Sequence, residues 1–170
     1  KFLNDTATKS IQNYNCNPVS YCEEGDKITL VKLGSIDNMS DCNSVGYSDF
    51  TNQQTDLDRG VSYDFVIENN ESYHQLSLWI DFNDNKVFET EELIIKDKEY
   101  SYSDTFSIVI PDNAEVGLHL MRVRTNWDEP SSDPCVEFEF GETEDYSVVI
   151  VNPTYIEEIL NFKFEIFNQS

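Results

Sequence analysis

Apolar and polar residues alternate along most of the chain, in short runs separated by turn-forming residues. Residues 27–33 set Ile28, Leu30 and Leu33 among Thr and Lys, and residues 61–67 alternate through Tyr63, Phe65 and Ile67. Residues 73–82 put Leu76, Leu78 and Ile80 on one parity and Ser77 and Trp79 on the other. Phe106, Ile108 and Ile110 keep phase within residues 100–110. In residues 117–127, Leu118, Leu120, Arg122 and Arg124 oppose His119, Met121 and Val123. Shorter runs at 92–96, 137–140 and 146–151 complete about eight strands of period two. Residues 34–46 and 128–134 read as loops, 47–51 as a short aromatic edge segment, and 68–71 and 111–114 as turns. No long helical period appears. The pattern predicts an all-β, antiparallel β-sandwich, jelly-roll or immunoglobulin-like, two topologies that periodicity does not separate.

The two ends differ from this middle. Residues 1–20 are polar and carry Asn13, Asn15, Asn17 and Pro18, so they read as a leader or linker. Residues 21–151 form the expected sandwich. In residues 152–170, Pro153 breaks the last strand; residues 156–160 fit a helical turn and Phe162, Phe164 and Ile166 alternate. This last piece reads as a connector toward a further domain.

Charge narrows the partners. Thirty-three Asp and Glu face eleven Lys and Arg, a formal net charge of −22. Such a surface repels nucleic acid and anionic lipid headgroups and suits cations or solubility. No apolar run is long enough to span a bilayer, and no basic, apolar leader is present. Lys1 is not an initiator Met, so the chain reads as a mature piece whose signal peptide is gone. Cys16, Cys22, Cys42 and Cys135 are even in number, lack any C-x-x-C spacing and stand apart from His74 and His119 in sequence. Two disulfides in an oxidising, secreted or cell-surface setting fit this better than zinc; four cysteines allow three pairings.

Three groups of residues carry candidate chemistry. In residues 81–92, Asp81, Asn83, Asn85, Val87, Glu89 and Glu92 fall at positions 1, 3, 5, 7, 9 and 12 of a calcium-loop rhythm. Ca²⁺ takes six to eight oxygens, and this spacing offers side-chain oxygens plus the Val87 carbonyl. Lys86 occupies the sixth position, where a positive φ favours glycine. The alternative is an acidic hairpin loop held by Asx turns without metal. A second group, Glu142, Glu144 and Asp145, precedes the last run. It suits a second acidic cation site, ion pairs with Arg122 or Arg124, or a turn cap. In a strand, Glu142 and Glu144 share a face and Asp145 takes the other.

The third group is aromatic. Tyr47, Phe50, Tyr100, Tyr102 and Trp127 lie in or beside loops, and Trp127 with Asp128 and Glu129 is a candidate ligand-binding group for a glycan. Nothing matches a catalytic constellation. H-E-x-x-H and G-x-S-x-G are absent, the histidines are isolated, and paired carboxylates arise by chance in so acidic a chain.

Three motifs in order resemble the GEVED domain of secreted bacterial proteins: residues 47–51 (YSDFT), residues 79–88 (WIDFNDNKVF) and residues 141–146 (GETEDY), with Thr143 where the family has Val. Met121-Arg122-Val123-Arg124 and Pro134-Cys135 precede the third, and Tyr21-Cys22 resembles the family's start. The resemblance covers about residues 20–151. It implies a secreted, non-catalytic β-sandwich module for surface attachment or interaction with an extracellular protein, or a glycan-binding accessory to a metallopeptidase or glycoside hydrolase. It also implies a Cys22–Cys135 disulfide, leaving Cys16 with Cys42; a local Cys16–Cys22 bond stays open. Residues 160–167 resemble the opening of the C-terminal sorting domain of type-nine secretion, which would engage the secretion machinery. The following residues depart from that pattern, and an edge strand or linker is the alternative.

Overall fold

The computed structural model describes residues 16, 18–22, 25–71, 73–127, 129–130 and 132–153. The expected leader and connector, including the stretch that resembles a sorting domain, fall almost wholly outside them. Among the described residues, nine strands form two sheets: β1 (Ile28–Leu33), β2 (Ile36–Met39), β3 (Tyr47–Asp58), β4 (Ser62–Asn69), β5 (His74–Ile80), β6 (Leu93–Tyr100), β7 (Ser103–Val109), β8 (Gly117–Trp127) and β9 (Gly141–Val151). One sheet has the order β2-β1-β4-β7 and the other β3-β9-β8-β5-β6.

The alternating residues close on one core. Val31, Leu33, Phe65, Ile67 and Ile108 face it from the four-stranded sheet, and Leu57, Leu78, Met121, Val123, Tyr146 and Ile150 from the five-stranded one. Full burial of each such side chain contributes about 1.5–3 kcal/mol before the entropy of ordering it. The sandwich expected from the sequence is therefore present, with four differences in detail.

A two-residue turn at Gly34-Ser35 opens a hairpin, pairing Leu33 with Ile36, so β2 lies inside the expected loop. Gly34 takes φ 56°, the left-handed conformation that such tight turns need. The expected aromatic segment is the start of a twelve-residue strand, β3. It pairs with β9 in parallel, the one parallel pair among the named strands, and its register slips between Phe50 and Gln54. Residues 137–140 are not a strand; within them only Phe140 makes an isolated bridge, to Tyr21. Finally, β9 begins at Gly141, so residues 141–145 lie within the last strand instead of before it.

Candidate functional site

The 81–92 loop leaves β5 and is anchored at its start. Asp81 N–H donates to the Leu120 carbonyl (3.0 Å), and the Asp81 carbonyl lies 2.7 Å from His119 Nδ1. His119 is buried, with Nε2 2.8 Å from the Glu115 carbonyl, and it packs as a structural side chain. The Asp81 carboxylate is fully buried; Oδ1 accepts from Asn85 N–H (3.3 Å) and Oδ2 from Lys86 N–H (3.0 Å). Asn83 Oδ1 accepts from Asn85 N–H (2.9 Å), and Asn85 Oδ1 from Val87 N–H (2.8 Å). Lys86 sits at φ 71°. The lysine thus adopts the left-handed backbone that its loop position demands, held there by the Asp81 carboxylate.

At the far end, Glu89 caps a 3₁₀ turn at Thr90–Glu92. Glu92 reaches back, with Oε2 accepting from Glu89 N–H (3.1 Å) and Oε1 from Asn83 N–H (3.4 Å). Glu89 itself accepts from the side-chain amides of Asn83 (2.7 Å) and Asn85 (3.0 Å). Burial raises the Glu92 carboxyl above its ordinary range, and the charges of Asp81 and Glu89 add to the rise. Five of the six candidate ligands therefore share one hydrogen-bonded loop, and the Val87 N–H joins it. Among the described residues, no three His, Cys, Asp or Glu side chains are arranged to hold a metal ion. A hard cation here would draw on the neutral oxygens of Asn83, Asn85 and Val87 as well as the carboxylates.

The loop also folds over the outer face of the five-stranded sheet. Phe88 lies 6.1 Å from the Trp79 ring and 5.3 Å from the Arg122 guanidinium. Arg122 is fully buried and grips Asp145 with two bonds, Nε to Oδ1 and Nη2 to Oδ2, both 2.8 Å. Tyr47 O–H donates to the same carboxylate (2.8 Å), and Arg122 Nη1 donates to the Pro134 carbonyl (2.8 Å). Burial pulls the Arg122 pKa down, but the Asp145 bonds and charge outweigh it and hold it up. Arg124 stacks on Phe138 at 4.1 Å and donates to Thr143 Oγ1 (3.0 Å) and to the carbonyls of Val136 (2.6 Å) and Asp133. Thr143, the departure from the expected motif, is thus the acceptor that Arg124 uses. Arg124 is pushed down to about 9 by burial and by the charge of Arg122.

Glu142 and Glu144 do not join Asp145. Strand parity sends Asp145 to the outer face and both glutamates inward, so the three acids do not assemble as one cation site. Glu142 accepts from Ile28 N–H (2.9 Å), and Glu144 from Tyr146 O–H (2.6 Å). Burial pushes Glu142 up to about 7; burial and the charge of Glu142 push Glu144 up to about 8. Both folded values exceed the unfolded carboxyl value near 4.5. Their contribution to stability is therefore complete below that value and is lost as pH rises through 7 and 8. Tm is expected to fall between pH 5 and pH 9, against the usual trend for carboxylates. One pKa unit is about 1.4 kcal/mol, and each kcal/mol moves Tm by about 2–4 °C at this size. Glu144→Gln, which copies the neutral acid, should melt roughly 5 °C above wild type at pH 8.5 and follow a flatter pH profile. A thermal-melt series that rises from pH 5 to pH 9 would contradict this.

The disulfides are Cys16–Cys135 and Cys22–Cys42, with Cα separations of 5.5 and 5.7 Å. This corrects the expected Cys22–Cys135 and Cys16–Cys42 pairs, and the local Cys16–Cys22 alternative. Ser20 N–H donates to the Val45 carbonyl (3.1 Å), which lays Cys22 alongside the loop that holds Cys42. Cys16 lies over Arg122, whose Nη2 donates to the Cys16 carbonyl (3.3 Å), next to Pro134 and Cys135.

The aromatics divide. Tyr100 is buried, Phe50 packs on Tyr146 at 5.6 Å, and Tyr47 is tied to Asp145, so these three are structural. Tyr102 and Trp127 are exposed. Asp128 lies outside the described residues; Glu129 is exposed, and its carbonyl accepts from Asn126 Nδ2 (3.3 Å). Trp127 instead meets Phe140 edge-on at 6.1 Å, and the two rings with Asp26 and Glu71 line a cavity of about 340 Å³. Asp26 and Glu71 carried no motif, and only the strand pairing could have placed them there.

No curated protein matches the chain. Among solved structures, the CARDB domain of the PF1109 protein from Pyrococcus furiosus, in complex with di-metal ions, aligns with 86% of this chain and 100% of that one, at 10% identity and a TM-score of 0.33. Residues 75–149, running from β5 into β9 and spanning both the acidic loop and the arginine–aspartate pair, match the family model of the GEVED domain.

Proposed function

We propose that the chain is a secreted, non-catalytic β-sandwich module, stabilised by calcium at the 81–92 loop, that serves cell-surface attachment or interaction with an extracellular protein. The observation that carries the calcium reading is Lys86 at φ 71°, pinned by the buried Asp81 carboxylate. Holding a non-glycine residue in that conformation costs about 1–3 kcal/mol, and the calcium-loop rhythm is the feature that asks for it. Asp81, Asn83, Asn85, Glu89 and Glu92, with the Val87 carbonyl, would hold the ion; all are oxygen donors, as a hard cation prefers. The ion would rigidify the loop that carries Phe88 onto Arg122.

Secretion is supported by two disulfides and by the GEVED match. No helix among the described residues is long and apolar enough to cross a membrane. Calcium at a hundred times its Kd should add about 2.7 kcal/mol, a Tm rise of roughly 5–10 °C over the chelated protein. Asp81→Ala should abolish that rise. If calcium leaves the wild-type melt unmoved, the ion assignment is wrong.

A further inference from the structure

We propose that the cavity between Asp26, Glu71, Trp127 and Phe140 binds an organic cation on an apolar stem, the lysine or arginine side chain of a partner polypeptide. At about 340 Å³ it suits one side chain. One part of its lining is aromatic. Trp127 is 47% exposed, and Phe140 meets it edge-on, so the indole is braced while accessible surface remains for a ligand. The other part is acidic. Gly25, at φ 118°, lets Glu71 lie close, because a Cβ there would collide with the Glu71 side chain. Asp26 follows directly in sequence, which sets both carboxylates beside the rings.

His74 stands behind Asp26. It is fully buried; with the Asn69 amide oriented so that its oxygen faces the ring, Nδ1 donates to that oxygen and Nε2 points toward Asp26. That Nε2 has no hydrogen-bond partner and faces Asp26 Oδ1 at 3.5 Å. Burial pushes the His74 pKa down to about 4, so the imidazole brings no positive charge to the cavity's acidic side. Among the described lining residues the side chains offer carboxylate acceptors, π faces and the indole N–H, and none is cationic. An ammonium or guanidinium group, all donor and charged, matches this set better than a sugar, which needs donors and acceptors in alternation. A cation against an indole face gains about 0.5–2 kcal/mol, and the net charge of −22 steers basic segments toward the surface.

The inference deepens the protein-interaction reading and is independent of the calcium loop, whose melting test reads a different set of residues. The test is a titration of ¹⁵N-labelled protein with Nα-acetyl-lysine methylamide and Nα-acetyl-arginine methylamide, following the Trp127 indole N–H. The expected result is a saturable shift with Kd on the order of 1 mM, weakened by added salt, and absent with the norleucine analogue. Glu71→Gln, read at the Trp127 indole N–H, and Trp127→Ala, read at the backbone N–H of Glu71, both at exposed positions, should each weaken binding at least about fivefold, given the size of cation–π and charge-assisted contacts, while leaving the spectrum dispersed. An unmoved Trp127 signal overturns the proposal. So does an equal shift with the norleucine amide, or a shift with cello-oligosaccharide and not with the cations, which would make the cavity a glycan site.

Discussion

Asp145→Ala is expected to destabilise the protein by about 3–5 kcal/mol, the usual cost of removing one partner of a buried ion pair. At this size that lowers Tm by on the order of 10 °C. The cause is what remains behind. Arg122 is fully buried, and it keeps carbonyl partners at Pro134 and Cys16 but loses both carboxylate bonds. Tyr47 loses its acceptor at the same time. Replacing Arg122 and Asp145 together by Met and Leu should cost much less, because no charge is left uncompensated. Urea denaturation of the single and double variants gives the comparison. An Asp145→Ala loss below about 1 kcal/mol would place the pair among ordinary surface bridges.

Removal of Cys16–Cys135 carries the second large effect. It closes 119 residues, against 20 for Cys22–Cys42. Loop-closure entropy gives about 4.7 kcal/mol for a loop near 100 residues and about 3 for one near 15. The Cys16,Cys135→Ser variant should therefore unfold at lower urea than the Cys22,Cys42→Ser variant. The long-range bond also holds Cys16 over Arg122, whose Nη1 lies 3.2 Å from its sulfur. Combining its loss with Asp145→Ala should accordingly cost less than the sum, since both act on one guanidinium. A reversed order of the two cysteine variants, or Cys22–Cys135 peptides in a non-reducing digest, would refute the assignment.

The strands legible in the sequence are those whose two faces differ. Leu76, Leu78 and Ile80 against Trp79, and Met121 and Val123 against Arg122 and Arg124, fixed the parity of β5 and β8. The run 52–56 in β3 has no such contrast. It lies on an edge strand paired on one side alone, where polar residues guard an open ladder, so period two fades. The hairpin at Gly34-Ser35 carried a usable signal, glycine opening a two-residue turn, but it was masked by the polar residues after Met39. In the 81–92 loop, spacing identified the residues that meet, and Lys86 was the correct place to expect strain. Glu142, Glu144 and Asp145 were legible as two faces, and Arg122 as a partner for the group, whereas the contacts of the two glutamates were not. Tyr146 meets Glu144 from two residues away on the same strand and Arg122 meets Asp145 across one ladder, but Ile28 comes to Glu142 from the other sheet, and a pairing of that kind, like the disulfides and the Asp26–Glu71 cavity, depends on how the sheets stack.

The long-range disulfide has a mechanical consequence. Strands β1 to β8 all lie between Cys16 and Cys135, and β9 alone lies beyond. Tension applied along the chain from before Cys16 to after Val151 passes through the sulfur–sulfur bond and bypasses everything between. About 400 Å of contour length, at roughly 3.3–3.6 Å per residue, cannot be drawn out while that bond is intact. The load falls on β9, held by β3 on one side and β8 on the other and riveted through Asp145 to Arg122. A chain built this way yields first at β9, and the residues enclosed by the bond do not lengthen under force, whatever becomes of their fold.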